Sequence, residues 1–109
     1  MKVPHEFAGR WRITEMSNWD QSAVELVGPG YFLFTDGEDG EFSFCALKGW
    51  MECRFSYRVP LVEFTWQGRS EGDDIFGRGK VEFETPDIGY GEIFIHGSEE
   101  SRFIIERET

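Results

Sequence analysis

Along most of this chain, apolar side chains occupy every second position, which is the pattern of strands with one buried face. Residues 8–16 begin the series, with Trp11 and Ile13 on one side and Arg10 and Arg12 on the other. The same alternation predicts further strands over residues 31–35, 41–48, 50–57, 61–67, 78–84, 91–96 and 102–107. About eight short strands joined by tight turns predict an all-β antiparallel meander. A sheet of this size must close into a barrel or fold into a two-sheet sandwich, and we favour the barrel.

The predicted core consists of the apolar residues that share the inward parity of these strands. Filling a barrel with them leaves an adequate core, and a large empty cavity would weaken it. The predicted inward residues are Trp11, Ile13, Met51, Cys53, Phe55, Tyr57, Val62, Phe64, Trp66, Val81, Phe83, Ile93, Ile95, Phe103 and Ile105.

Polar and glycine-rich segments between the strands predict one short helix and several turns. Ser17 or Asn18 is a suitable N-cap for a helix over residues 19–26, which the Gly-Pro-Gly step at 28–30 would end. Gly49 is the predicted centre of a hairpin. Because Phe44 and Leu47 have opposite parity, a bulge is expected between them, at residues 45–46.

Composition restricts the class of protein. The chain has 109 residues, which predicts a single domain over residues 1–109, and 17% of them are aromatic, which predicts a folded chain. The net charge of −10 disfavours binding to nucleic acid or to a membrane surface. The opening residues contain no apolar core of a secretory signal, so a cytoplasmic protein is expected.

Several segments spread over nearly the whole chain form one set: GRWRITEM, WDQ, LVGPGYF, GEFSF, the Gly49, Met51 and Cys53-Arg54 spacing, VEFTWQG, EGDD followed by GRG, GEIFIH and SRF. Together they resemble a family of small acidic bacterial proteins without an assigned activity. The opening Gly-Arg-Trp, residues 9–11, is also similar to the start of lipocalin-like ligand-binding barrels. The first resemblance implies no function, and the second implies a carrier of a small apolar ligand.

The stretch GRSEGDDIFGRG, residues 68–79, is the most polar segment between predicted strands. Glu71, Asp73 and Asp74 could hold a hard cation, and Arg78 could hold a carboxylate or a phosphate. The simpler interpretation is a long polar connection in which Arg78 pairs with one of these acids. The flanking glycines at 77 and 79 predict a bulge or a close backbone approach that aims Arg78.

Trp19, in the segment NWDQ, has three predicted roles: a plug at the barrel end, a lid over it, or an exposed anchor for a partner. His96 lies at a strand end beside a glycine, where a solvated or capping role is favoured over catalysis. The complete set of binding candidates is Trp19, Asp20, Arg54, Glu71, Asp73, Asp74, Arg78 and His96, with no catalytic residue and no metal ligand assigned.

Two cysteines, Cys45 and Cys53, would lie nearly opposite each other in a hairpin centred on Gly49. That placement would permit a cross-strand disulfide, but two buried thiols are favoured in a cytoplasmic chain. A zinc site is disfavoured because the chain lacks a second pair of suitably spaced ligands. The acidic run DGEDGE, residues 36–41, is interpreted as a hairpin turn and not as a calcium loop.

Three functions are consistent with the sequence, and none needs a cofactor. The first is a non-enzymatic binding module whose acidic surface meets a basic protein partner. The alternative is a lipocalin-like carrier of a small apolar or aromatic ligand. The third is a hydrolase or isomerase that uses His96 or Arg78 with the acids at 71–74. The chain is expected to be a monomer, or a homodimer through its first and last strands if the barrel does not close.

Overall fold

The computed structural model describes residues 2–108 and consists of eight antiparallel strands closed into a barrel. Each strand pairs with the next along the chain, and the last pairs with the first, which confirms the predicted fold class. A 3-10 turn, His5–Phe7, precedes the barrel, and one helical turn, α1 (Gln21–Val24), follows the first strand. The strands are β1 (Gly9–Met16), β2 (Tyr31–Phe34), β3 (Asp39–Phe44), β4 (Leu47–Ser56), β5 (Leu61–Ser70), β6 (Asp73–Thr85), β7 (Ile88–Ile95) and β8 (Glu100–Arg107).

The barrel closes through pairing of β1 with both β2 and β8. Trp11 lies opposite Phe32 on one side and Arg107 on the other, and the β1–β8 register shifts once, between Ile13 and Glu15. Because β1 and β8 pair with each other, they do not offer the free edges on which the predicted edge-strand homodimer depends. No helix among residues 2–108 is long and apolar enough to span a membrane.

Side chains fill the interior of the barrel. The ring of Phe32 is fully buried, and its centroid lies 5.1 Å from that of Phe42 and 4.6 Å from that of Phe103. The N-terminal segment closes one end of the barrel, where Phe7 stacks on Phe83 with ring centroids 4.4 Å apart and the Trp11 indole donates a hydrogen bond to the Phe7 carbonyl oxygen. Every predicted inward residue except Tyr57 and Ile95 is buried.

Inward-facing glycines make room for the aromatic rings. Gly49 lies opposite Phe42 in the β3–β4 register, and a Cβ added at Gly49 would lie 2.4 Å from the Phe42 ring. Two further cross-strand pairs share this arrangement, with glycine opposite a phenylalanine ring: Gly79 with Phe64, and Gly91 with Phe103. A phenylalanine ring that covers a cross-strand glycine replaces the side chain that the glycine lacks. The core thus reaches full packing although several inward positions carry no side chain.

The predicted hairpin centred on Gly49 is wrong. Phe44 pairs directly with Leu47, so the turn is the two-residue loop Cys45-Ala46, and Gly49 lies inside β4. A two-residue loop places the residues on either side of it on the same face of the sheet. This loop, and not a bulge, explains why Phe44 and Leu47 have opposite parity in the sequence. The two cysteines are therefore not opposite each other, because Cys53 pairs with Phe64.

The polar stretch after Trp66 is not a long connection. β5 continues to Ser70 and β6 begins at Asp73, so only Glu71 and Gly72 form the turn. The β5–β6 register runs without interruption through residues 77–79, which rules out the predicted bulge there. The alternative prediction of a close backbone approach is confirmed, since a Cβ added at Gly77 would lie 1.8 Å from the Phe94 carbonyl oxygen.

Two further predictions need correction. The helix spans only Gln21–Val24, and its N-cap is Asp20, not Ser17 or Asn18. The side chain of Tyr57 is 63% exposed instead of inward, because β4 ends at Ser56.

Candidate functional site

A cleft of about 500 Å³ opens at the end of the barrel opposite the N-terminal segment. The β3–β4, β5–β6 and β7–β8 turns meet at this end, together with α1, and we call the space the mouth cleft. Phe44 and Leu47 in its wall belong to the buried core, whereas Trp19, Ile75 and Ile95 are half-buried and pack against that core. The mouth cleft is therefore an apolar depression at the top of a filled barrel.

The segment around α1 forms one wall of the mouth cleft and is firmly attached to the barrel. The Cys45 amide donates a hydrogen bond of 2.8 Å to the Val24 carbonyl oxygen, which joins the helix to the β3–β4 turn. The Trp19 ring lies 5.5 Å from the Phe44 ring, centroid to centroid, at an angle of 39°. Trp19 thus has its inner side on the core and its outer side toward the cleft.

Asp20 is a structural residue at the start of this wall. Its carboxylate accepts hydrogen bonds from the Ala23 amide, at 2.9 Å, and from the Ser22 hydroxyl, at 2.7 Å. These two bonds lower the pKa of Asp20, the first more than the second. The residue is an N-cap that satisfies an otherwise unpaired helix amide, and it does not line the cleft.

Acidic side chains surround the apolar walls. Glu71 comes from the β5–β6 turn, Asp73 from the start of β6, and Glu99 from the β7–β8 turn. Glu99 accepts a hydrogen bond of 2.6 Å from the side-chain amide of Asn18. His96 lies on the same rim, and none of the described residues that line the cleft is a lysine or an arginine. The cleft therefore presents an apolar floor within a negative rim.

Two of the turn residues at the mouth have an unfavourable backbone conformation. Cys45 has a φ of 54° and Glu71 a φ of 51°, and they are the non-glycine residues with positive φ among residues 2–108. Non-glycine residues rarely adopt this region and tend to do so where the surrounding structure requires a particular geometry. Both residues line the mouth cleft, so the two strained turns lie at its rim.

Both cysteines are free thiols, but only Cys53 is buried, so the prediction of two buried thiols is wrong for Cys45. Burial, and to a smaller extent the negative charge of Glu99, raises the pKa of Cys45, which is half-buried at the mouth. Burial raises the pKa of Cys53 to about 12 in the barrel core. A thiol with a raised pKa is a poor nucleophile at neutral pH, so neither cysteine is activated for covalent chemistry.

The structure brings four of the eight binding candidates together at the mouth cleft: Trp19, Glu71, Asp73 and His96. The others lie elsewhere. Asp74 forms a salt bridge of 3.1 Å with Arg69, which replaces the predicted pairing of Arg78 with one of these acids. Arg78 and Arg54 point outward from the barrel wall, and the guanidinium of Arg78 lies 5.1 Å from the Phe94 ring centroid.

The structure does not bring His96, Arg78 and the acids at 71–74, which the sequence offered as groups of a hydrolase or isomerase, into one pocket. His96 shares one depression with Arg78 and another with Glu71 and Asp73, so the three kinds of group do not line a single pocket. The His96 ring instead stacks on Phe76, with centroids 4.5 Å apart. Among residues 2–108, no three His, Cys, Asp or Glu side chains are grouped closely enough to hold a metal ion.

Sequence reasoning missed the apolar walls of the mouth cleft, above all Ile75. The inward-facing positions of β6 include Ile75, Gly77 and Gly79. Because two of these positions are glycines, the apolar alternation is not visible in the sequence. The parity change between Phe44 and Leu47 was visible, and interpreting it as a two-residue turn would have placed both residues at the mouth.

A second groove of similar volume runs along the outer face of β6, β7 and β8. Five of its eleven lining residues are charged, among them Lys80, Glu82 and Arg102, which are exposed to solvent. Because these charges of both signs are interspersed with its apolar residues, we assign it no function.

Comparison with known proteins gives no neighbour: no protein-family model, no curated protein and no solved structure matches this chain.

Proposed function

We propose that this protein is a non-enzymatic binding module, and that its mouth cleft receives an apolar side chain flanked by basic residues on a protein partner. The observation that supports this function is the combination of half-buried apolar walls with a rim of three carboxylates. Apolar burial supplies affinity, and the negative rim selects a partner whose charge is positive around the inserted group.

The two parts of the cleft contribute different amounts of free energy. Burying one large apolar side chain contributes about 1.5–3 kcal/mol. Each exposed ion pair at the rim adds about 0.2–1 kcal/mol, and this contribution weakens as salt screens the charges. The net charge of −10 also accelerates the encounter with a basic partner at low ionic strength.

A second candidate is a carrier of a small apolar or aromatic ligand. The barrel interior is filled by side chains, so such a ligand would have to sit at the mouth and not inside as in a lipocalin-like carrier. The acidic rim would favour a ligand that also carries an amine. Affinity for an isolated aromatic amine equal to that for a basic peptide would favour this carrier function.

Two attributes of the proposal rest on other observations. We propose a cytoplasmic location, because two free thiols suit a reducing compartment. We also propose membership of the family of small acidic bacterial proteins, on the segments quoted above alone. The raised pKa of Cys45 at the cleft, which disfavours the nucleophilic thiolate, supports a function without covalent catalysis by this thiol.

The test is an NMR titration of the isotope-labelled protein with a pentapeptide that has one phenylalanine between two pairs of lysines. We expect the amide signals of residues 44–47, 71–75 and 95–99 to shift. A peptide with glutamates in place of the lysines should bind more weakly, and the difference should shrink as salt rises. Equal affinity for the two peptides, or shifts away from the mouth, would contradict the proposal.

A matched pair of variants separates the local rim from the overall charge. Asp73→Asn combined with Glu99→Gln removes two charges at the mouth, whereas Glu82→Gln combined with Glu106→Gln removes two exposed charges elsewhere. We expect the mouth variant to lose about 1 kcal/mol of binding free energy, roughly fivefold in affinity, and the control to lose little. Equal losses would mean that only net charge matters.

A further inference from the structure

A third depression, of about 820 Å³, lies on the outer wall of the barrel over β4, β5 and β6 and reaches β7. We call it the outer-face groove, and its lining includes Trp50, Glu52, Thr65, Gln67, Phe76 and Arg78. The side chain of Trp50 is 49% exposed and that of Phe76 is 54% exposed. Two large aromatic side chains that are exposed on the same face of a barrel are typical of a binding surface.

The strand register places these residues symmetrically about β5. In one row across the sheet, Gln67 of β5 lies between Trp50 and Phe76. In the next row, Thr65 lies between Glu52 and Arg78. Each row therefore has a polar residue on β5 at its centre. The two flanking residues, on β4 and β6, are both aromatic in one row and oppositely charged in the other.

We propose that the outer-face groove binds a second copy of this chain around a twofold axis parallel to β5. Such an axis exchanges the two sides of each row, so that Trp50 of one copy meets Phe76 of the other. The same rotation brings Glu52 against Arg78, twice per dimer, and Thr65 and Gln67 against their own counterparts. A twofold interface requires a self-complementary surface, and this surface meets that requirement in both rows. In the following row the same axis would set Arg54 against Lys80 and Glu63 against Glu63, so the contact is confined to the two rows.

The charges of the two rows match those of a second copy, although two chains of net charge −10 also repel each other at low salt. Arg78 makes no salt bridge within residues 2–108 but lies over the Phe94 ring, and Glu52 has only a long contact, 3.9 Å, with Arg54. A sugar or an unrelated protein could use the two exposed rings, but neither accounts for opposite charges at equal distances on the two sides of β5. A twofold axis perpendicular to the strands would place Trp50 against Glu52, which is a poorer match.

The exposed area indicates the strength of the dimer. About half of the surface of each of the two aromatic residues is exposed, which amounts to roughly 100 Å² per residue. Four such side chains contribute roughly 400 Å², and with the polar groups of the two rows the interface stays below about 1,200 Å², in the range of weak, transient contacts. We therefore expect a reversible dimer with a dissociation constant on the order of micromolar.

Charge exchange tests the proposed axis. Sedimentation velocity of the full chain, from roughly 5 to 500 µM, should show a monomer–dimer equilibrium. Glu52→Arg alone and Arg78→Glu alone should each weaken the dimer by at least about tenfold, because like charges then meet twice. The double variant restores both opposite-charge contacts and should regain wild-type affinity. Tyr90→Ser, which removes an aromatic ring that is 46% exposed on β7, is the matched control and should have no effect.

A second measurement needs no variant. On dilution of the labelled wild-type protein, the amide signals of residues 50, 67, 76 and 78 should move together. Those at the mouth cleft should not, apart from His96, which also lines the outer-face groove. A chain that stays monomeric throughout would overturn the proposal. So would a dimer whose charge-exchanged double variant is not restored, or shifts that map to the mouth cleft.

Discussion

Replacing Gly49 by alanine tests the packing of the barrel most sharply. A Cβ at this position would lie 2.4 Å from Cζ of Phe42 and 2.6 Å from its Cε2. Contacts this short cannot persist, so the Phe42 ring or the β4 backbone must move. The ring has little freedom, because it packs against Phe32 at 5.1 Å and against Trp66 at 5.2 Å, centroid to centroid.

Two opposing effects determine the free energy of this substitution. Inserting a methyl group into a well-packed core costs about 1–3 kcal/mol. Removing glycine also restricts the unfolded chain, which returns about 0.4–1 kcal/mol of stability. We therefore expect Gly49→Ala to lower the free energy of unfolding by about 1–2 kcal/mol.

Chemical and thermal unfolding of the same samples measure the effect. Each kcal/mol of lost stability lowers Tm by about 4–8 °C in a domain of about this length, so this loss should lower Tm by about 4–16 °C. Gly28→Ala is the matched control, because a Cβ added at Gly28 meets no atom within 4 Å and its φ is not positive. That variant should be as stable as the wild type or slightly more stable.

A double-mutant cycle identifies the cause. In a Phe42→Leu background the ring is absent, so Gly49→Ala should cost about 1 kcal/mol less than in the wild type. If Gly49→Ala were as stable as the wild type, or if the cost were unchanged without the Phe42 ring, the proposed packing of ring on glycine would be refuted.

Two further predictions concern the core. Phe32→Ala should cost about 3–5 kcal/mol in unfolding experiments, since the Phe32 ring is fully buried among other aromatic rings, and a loss under about 1 kcal/mol would contradict a filled interior. Folding raises the pKa of Cys53 from 9.0 to about 12, so the thiol of the unfolded chain ionises at a lower pH than that of the folded chain. The free energy of unfolding should therefore fall as pH rises from 9 toward 12, and this group should contribute about 1.4 kcal/mol per pH unit. Cys53→Ala should make the decline of stability with pH shallower, and an unchanged slope would show that Cys53 does not contribute.

The barrel could be predicted because strict alternation survives in most strands. β4 from Met51 to Phe55 and β5 from Val62 to Trp66 alternate without interruption, so their inward residues follow directly from the sequence. The exceptions arise where glycine replaces an inward side chain. β6 begins at Asp73, five residues before the predicted start, because Gly77 and Gly79 hide its inward face.

Less of the mouth cleft could be predicted, for a physical reason. Its walls come from three turns and α1, which are distant along the chain and meet only after the barrel closes. Polar turn residues such as Glu71 and Asp73 are conspicuous in sequence, whereas Ile75 and Ile95 resemble ordinary core residues. The two isoleucines are half-buried because they lie near the ends of their strands. The alternation of apolar residues does not determine where a strand ends, so their partial exposure could not be predicted.

The central claim is that side chains fill the barrel interior, so that any ligand must bind at its surface. Xenon binds dry, enclosed apolar cavities, so a crystal of the protein pressurised with xenon tests directly whether the interior holds such a cavity. We predict no xenon inside the barrel, because aromatic rings occupy it. Xenon among the rings of Phe32 and Phe103 would reveal an internal cavity and contradict the account.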